Sequence, residues 1–459
     1  MSDLLLPIGT RYKAPLLSPL WTSKYRILIM RELWIQLAKG QKELGIESIS
    51  EIGIQEMENE KNNINIDKIE EYEKKYLHDI VANIHAFSDL CPNARKFIHS
   101  GATSCYITDN CDLILIKKSL EIILQKIKNL LHLFISFIQK NSLIPCLAYT
   151  HLQPAQLTTI GKRGALWAYD LLQDYIELKN YFENISFRGA KGTTGSEDSF
   201  MTLFHNDSNK CKLLNEKLYT HFGFKRDVYI CSQTYSRKND VRLIQLLSNL
   251  SQSFYKIAND IRLLASKNEY MEFFDTHQVG SSAMAYKQNP IQCENICSLS
   301  RYVINQEQNI IQTYIHQWCE RTLDDSAIRR ILFPETFFLI EYLSDKMINV
   351  ISKINIQYNV IEENVKKQMP YIISEKILMK GIELGFDRQD LHEKIRNITL
   401  QYTHILHNNP SCNNINIDNL YKNNIDEIIY ENVSKNPIDY IGNIPFQINE
   451  FLDFVTNNL

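Results

Sequence analysis

No proline occurs between Pro154 and Pro290, and the glycines of that interval gather at Gly189 to Gly195 and a few isolated positions. Such a stretch permits long, uninterrupted helices. Apolar residues at Leu113, Ile116, Leu120, Ile123, Ile127, Leu130, Phe134 and Phe137 advance in alternating steps of three and four, which is a heptad stripe. The alternation returns at Leu171, Tyr175, Leu178, Phe182 and Ile185, at Leu243, Leu247, Leu250, Phe254, Ile257, Ile261 and Leu264, and at Ile340, Leu343, Met347, Val350 and Ile354. Leu115, Leu124, Leu131, Leu246 and Leu263 fall off the strict seam, so a second face needs cover. A helical bundle, oligomeric by the same reasoning, covers both faces better than a two-stranded coil.

This divides the chain into a mainly helical N-terminal domain (1–103), a central long-helix domain (104–356) and a smaller helical C-terminal domain (357–459). Helical patterning in the first domain falls around Tyr25 to Leu44 and Ile69 to Leu90. The runs Asn62-Asn63-Ile64-Asn65 and Asn413-Asn414-Ile415-Asn416 read as loop composition. The 459 residues, 44% of them hydrophobic, suffice for a substantial core. Lys plus Arg (50) nearly cancel Asp plus Glu (53), so no global field recruits nucleic acid or an anionic membrane. The start, Met1 to Pro7, shows no basic segment followed by a long apolar run, and no window of uninterrupted apolar residues is long enough to span a membrane. The ten cysteines are scattered, and the close pair Cys293 and Cys297 has helical spacing without a companion histidine cluster. A cytoplasmic protein with free thiols and no metal site is expected.

Five clusters can carry chemistry. Gly280-Ser281-Ser282-Ala283-Met284-Ala285-Tyr286-Lys287-Gln288-Asn289-Pro290 can wrap an anion, because glycine admits close backbone approach, successive amides form a nest, and Lys287 and Asn289 add a charge and a donor. It is equally a mobile surface loop. In Tyr76-Leu77-His78-Asp79 a histidine adjoins a carboxylate that can hold or charge it, and His85 lies one heptad on. Such a pair is often only solvated. Thr150-His151-Leu152-Gln153-Pro154-Ala155-Gln156 sets a histidine before what reads as a proline-marked helix start, where it can exchange a proton or merely cap a loop. Ser100-Gly101-Ala102-Thr103-Ser104 precedes a long helix expected to begin near Thr108, and can bind a carboxylate at its N-terminus or serve as a cap. The stretch Glu320 to Arg330 offers arginine forks for a phosphate, or a salt-bridged helix end. No nucleotide-triphosphatase phosphate loop, dinucleotide fingerprint or metal-spaced histidine pair is present.

Together these segments resemble the fumarase/aspartase superfamily, whose Gly-Ser-Ser-x-Met-Pro-x-Lys-x-Asn-Pro loop matches Gly280 to Pro290 with Ala285 in place of proline. Within it the similarity is to the adenylosuccinate lyase family. The similarity is carried by Arg11 to Leu16, Ser100 to Tyr106, Thr150 to Gln156, Lys191 to Gly195, Gln233 to Lys238, Arg321 to Arg330 and Arg388 to Lys394, in family order. It implies an all-α, three-domain subunit whose central helices form the twenty-helix core of a homotetramer, with each active site shared by three subunits. It further implies a cofactor-free carbon-nitrogen lyase that eliminates fumarate from adenylosuccinate, giving AMP, and from succinylaminoimidazole carboxamide ribotide.

Carried over residue by residue, the resemblance makes Ser281 the base, His151 the acid and His78 a substrate-binding support of the acid. Lys287 and Asn289 are expected to hold the carboxylate that takes up charge, and Thr103, Ser104 and Gln233 to place the succinyl carboxylates. Arg11, Tyr12, Arg321, Ser326 and Arg330 are expected to receive the nucleotide, with Asp79 and Thr150 in the same substrate-contacting set. Leu77 and Asn295 stand where relatives can carry arginine, and Ala285 and Gln288 alter the loop. The alternatives are an argininosuccinate lyase-like activity, another superfamily lyase, or a catalytically silent structural relative.

Overall fold

The computed structural model describes residues 7–275, 277–408 and 417–459. The start of the chain up to Leu6 and the Asn413 to Asn416 run, with Cys412, lie outside them. The chain folds into two compact units, one formed by Met1–Leu130, Gln173–Ala258 and Glu294–Asn349, the other by Leu131–Leu172, Asn259–Cys293 and Val350–Leu459.

Four long helices carry the apolar stripes: Ser104–Asn141, Ile160–Asn184, Lys238–Ser266 and Asp324–Lys353, joined by a further long helix, Ile291–Ile315. In the first unit the seam residues Leu113, Ile116, Leu120, Ile123, Ile127 and Leu130 are all buried, as are Leu243, Leu247, Leu250 and Phe254. Each such side chain removed from water contributes ~2 kcal/mol before entropy is counted. Off the seam, Leu115 and Leu124 are buried as well, whereas Leu263 remains 38% exposed. Thr22 caps Ser23–Glu43 by accepting the Tyr25 N–H, and Asn65 caps Ile66–Tyr76 by accepting that of Lys68.

The second unit holds most of the little sheet there is. Strands β1 (Pro145–Thr150) and β2 (Gln153–Thr159) form an antiparallel hairpin, and β3 (Tyr270–Met271) pairs antiparallel with β4 (Asn355–Ile356). Leu147 and Leu157 of the hairpin are buried in a cluster with Val365, Met369, Ile372 and Ile373 of the Tyr358–Glu383 helix. The hairpin is therefore fixed by its apolar face.

Three local expectations are corrected. The helix expected over Ile69 to Leu90 is two helices, Ile66–Tyr76 and Asp79–Leu90, because Leu77 turns left-handed (φ 51°) and His78 is extended. The proline-marked segment after His151 does not start a helix: Pro154 sits in β2, opposite Tyr149, and the helix begins only at Ile160. The long helix starts at Ser104, one turn earlier than expected. No disulfide joins the nine described cysteines. Among the described residues no helix is long and apolar enough to cross a membrane, and no cluster of His, Cys, Asp or Glu could hold a metal.

Candidate active site

The break at Leu77 gives His78 its role. As N-cap of Asp79–Leu90, its Nδ1 lies 3.5 Å from the Val81 amide nitrogen and 3.6 Å from Asp79 Oδ1, and its Nε2 stands 3.4 Å from Ser104 Oγ. Asp79 follows at the helix N-terminus. One carboxylate oxygen accepts the Ile80 N–H at 2.8 Å, and the other meets Arg330 Nη2 at 2.6 Å. Burial opposes ionisation of Asp79, yet the Arg330 hydrogen bond and charge, with the Ile80 amide, hold its carboxyl below the usual carboxylate range.

These groups line a cavity of about 480 Å³ in the first unit, together with Thr103, Ser104, Gln233, Arg321 and Ser326. Eight residues singled out from the sequence thus converge from four separate chain segments. Gln233 is held from behind: the fully buried Arg188 donates to its carbonyl at 2.7 Å, and Glu320 accepts its N–H at 3.1 Å. The Lys191 to Gly195 motif explains the approach of that segment. Gly195 has φ +83°, and a Cβ there would stand 1.9 Å from the Cys231 carbonyl, so only glycine fits.

Beneath these groups is a buried ionic floor. Arg237 Nη2 lies 2.9 Å from Asp109 and 2.5 Å from Asp325, and Arg329 reaches Asp112 and Asp240 at 2.9 Å each. Tyr235 donates to Asp240 at 2.6 Å and accepts from Arg329 at 2.6 Å, while Arg26 meets Asp112 at 2.6 Å. Burial raises the Asp240 carboxyl despite its arginine neighbours, whereas around Asp112 the Arg26 and Arg329 charges outweigh burial and lower it. Asp109, Asp112 and Asp240 had not been singled out, and Arg237 and Arg329 entered only as members of longer motifs, Arg329 among the arginine forks read for a phosphate; aspartates just ahead of an apolar stripe show no sign of burial until their arginines are known.

His99 was also missed. It has φ 69°, its Nδ1 accepts the Trp34 indole N–H at 2.9 Å, and burial, then the neighbouring His78, lowers its pKa to about 4. It is a neutral imidazole with its proton on Nε2. Arg11 and Tyr12 do not line the cavity: Arg11 is exposed, and the Tyr12 ring packs edge-on against Tyr342 at 5.4 Å.

Thr150, His151, Ser281, Lys287 and Asn289 lie in the second unit. His151 and Leu152 are the two-residue tip of the β1–β2 hairpin, both left-handed (φ 52° and 60°), as a primed turn demands. The His151 side chain is exposed and has no hydrogen-bond partner among the described residues. Ser281 Oγ accepts two amide N–H groups, from Ala283 at 3.3 Å and Met284 at 3.1 Å. Two donors on one hydroxyl oxygen favour its anionic form. Asn289 donates to the Gly280 carbonyl at 3.0 Å, drawing the ends of the loop together, while Lys287 is exposed. Glu272 closes the same loop by accepting the Gln292 and Cys293 N–H groups at 3.0 and 2.7 Å.

A family model described as "Lyase" matches residues 35–305. The adenylosuccinate lyase of Saccharomyces cerevisiae is 37% identical over 456 residues, covering 98% of this chain and 94% of the relative. That of Schistosoma mansoni is 40% identical over 392 residues, covering 85% and 82%. Among solved structures, the 3-carboxy-cis,cis-muconate lactonizing enzyme of Pseudomonas putida superposes with a TM-score of 0.82 at 15% identity, covering 99% of this chain and 100% of that one. The fumarate lyase of Mesorhizobium sp. BNC1 gives 0.79 at 19%, covering 95% and 97%. The structural neighbours share the fold, and the near full-length identities settle the closer kinship: the chain belongs to the adenylosuccinate lyase family.

Proposed function

We propose that this protein cleaves adenylosuccinate into AMP and fumarate, and succinylaminoimidazole carboxamide ribotide into its carboxamide and fumarate. The observation that carries this reading is the convergence of His78, Asp79, Thr103, Ser104, Gln233, Arg321, Ser326 and Arg330 on one polar cavity in a member of this family. Hydroxyl and amide donors suit the succinyl carboxylates. Arginines suit a nucleotide phosphate.

The elimination needs a base for the proton beside one carboxylate and an acid for the departing nitrogen. Ser281 is the base, helped by the two amides already on its oxygen, and His151 the acid, free to turn toward substrate. As the proton leaves, its electron pair builds negative charge on the adjoining carboxylate, held by Lys287 and Asn289. That pair then forms the fumarate double bond while the carbon-nitrogen bond breaks, and the nitrogen takes the proton of His151. Thr103, Ser104 and Gln233 position the carboxylates, while Arg11, Tyr12, Arg321, Ser326 and Arg330 receive the nucleotide. His78, Asp79 and Thr150 contact substrate. Following the family resemblance, the reading includes a homotetramer with each site shared by three subunits, working in the cytoplasm without a cofactor.

Mixing the purified protein with adenylosuccinate and following fumarate release tests the activity. Release from argininosuccinate alone would favour the sister lyase, and no turnover of either would favour a silent relative.

A further inference from the structure

The mechanism makes no use of Glu269, although it is fully buried and one of its carboxylate oxygens, Oε2, has no hydrogen-bond partner among the described residues. Burying a carboxylate is costly unless its neighbours compensate, so its surroundings matter. Oε1 accepts the Tyr149 hydroxyl at 2.5 Å and the Asn364 amide at 3.1 Å. Oε2 faces Arg163 Nη1 at 4.0 Å, and that guanidinium donates through Nη2 to the Leu147 carbonyl at 2.7 Å. Tyr149 and Leu147 belong to β1, the strand that ends at Thr150 and turns at His151. One carboxylate thus grips the hairpin twice, directly through a hydroxyl and indirectly through a guanidinium.

The carboxylate is itself immobile. The Glu269 N–H donates to the Leu264 carbonyl at 3.1 Å, its carbonyl accepts from Gln357 at 2.9 Å, and the next residue, Tyr270, pairs with Ile356 in the β3–β4 ladder. Asn364, on the Tyr358–Glu383 helix, anchors the head group from a third side. His151, by contrast, sits at an exposed tip without a side-chain hydrogen-bond partner among the described residues, so its position is set by the strands beneath it.

We propose that Glu269 is a positioning residue: through Tyr149 and Arg163 it fixes the β1 strand, and hence the direction in which the His151 imidazole is presented to the departing nitrogen. The proposal rests on the reading of His151 as the acid. Misplacement of an acid by a fraction of an ångström slows chemistry without weakening substrate binding in proportion.

The test compares wild type, Glu269→Gln, Asn364→Ala, His151→Ala and the Glu269→Gln/His151→Ala double variant, measuring fumarate release from adenylosuccinate across the titration range of imidazole. Glu269→Gln is expected to lower kcat by about 10- to 100-fold with KM changed less than about three-fold. It should also shift the limb of the pH profile that His151→Ala abolishes, and cause no further loss in the His151→Ala background. Asn364→Ala, which leaves the carboxylate in place but loosens it, should act in the same direction more weakly, and it carries the test if Glu269→Gln does not fold. Wild-type kcat and pH profile in these variants, or an equal proportional loss with and without His151, would overturn the positioning role alone. Wild-type turnover by His151→Ala would instead remove the acid assignment and the proposal with it.

Discussion

Arg330 Nη2 stands 2.6 Å from Asp79 Oδ2, so two residues expected to meet the substrate meet each other. A nucleotide phosphate that takes Arg330 must share or displace Asp79. The pair is partly exposed, so its own contribution to stability is small. Arg330→Ala should therefore change unfolding free energy by less than about 1 kcal/mol. It should raise KM by about 10- to 100-fold through the lost charge-assisted bonds to phosphate. Steady-state kinetics and urea unfolding separate the two; an unchanged KM would remove Arg330 from the phosphate site.

His151→Ala and Ser281→Ala should each lower kcat by about 1,000-fold if they carry the proton transfers. The exposed His151 imidazole contributes no described hydrogen bond, so removing it should leave the melting temperature close to wild type. Near wild-type turnover in either variant would refute its role, and calorimetry guards against loss by unfolding.

Arg329 differs from Arg330 in every respect that governs stability. It is 5% exposed and bound to Asp112, Asp240 and Tyr235. Among the described residues, Arg329→Met leaves buried Asp240 with only the Tyr235 hydroxyl and Asp112 with only Arg26, and should cost ~3–5 kcal/mol in unfolding free energy. A loss no larger than that of Arg330→Met, measured side by side, would contradict the buried floor described above.

The neutral His99 makes stability depend on pH in a defined direction. Its pKa is lowered from 6.5 to about 4 in the fold, so the unfolded chain takes up the proton first. The contribution is fully present above pH 6.5, is lost as pH falls toward about 4, and amounts to on the order of 3 kcal/mol over that window. Urea midpoints of wild type should fall more steeply through this window than those of His99→Gln. Parallel curves would show that His99 titrates normally.

The long helices were legible because heptad periodicity in a proline-free interval admits few other structures, and their buried seams follow that stripe residue for residue from Leu113 to Leu130. The cavity residues were named through the family resemblance, since on their own the clusters read as readily as caps, loops and solvated pairs. The β1–β2 hairpin was not. Pro154 reads equally as a helix start or a strand residue, and only pairing with Tyr149, together with the burial of Leu147 and Leu157, selects the strand. The ionic floor was hidden for a different reason. An aspartate at 109 or 112 looks like any helix-surface charge until arginines arriving from positions 237 and 329 reveal that it faces inward.

Leu152 holds a backbone conformation at the hairpin tip that a leucine side chain resists, at a cost of roughly 1 kcal/mol. Heat selection alone would replace it with glycine or asparagine. A more heat-resistant hairpin tip therefore lies one substitution away, beside the imidazole proposed as the acid.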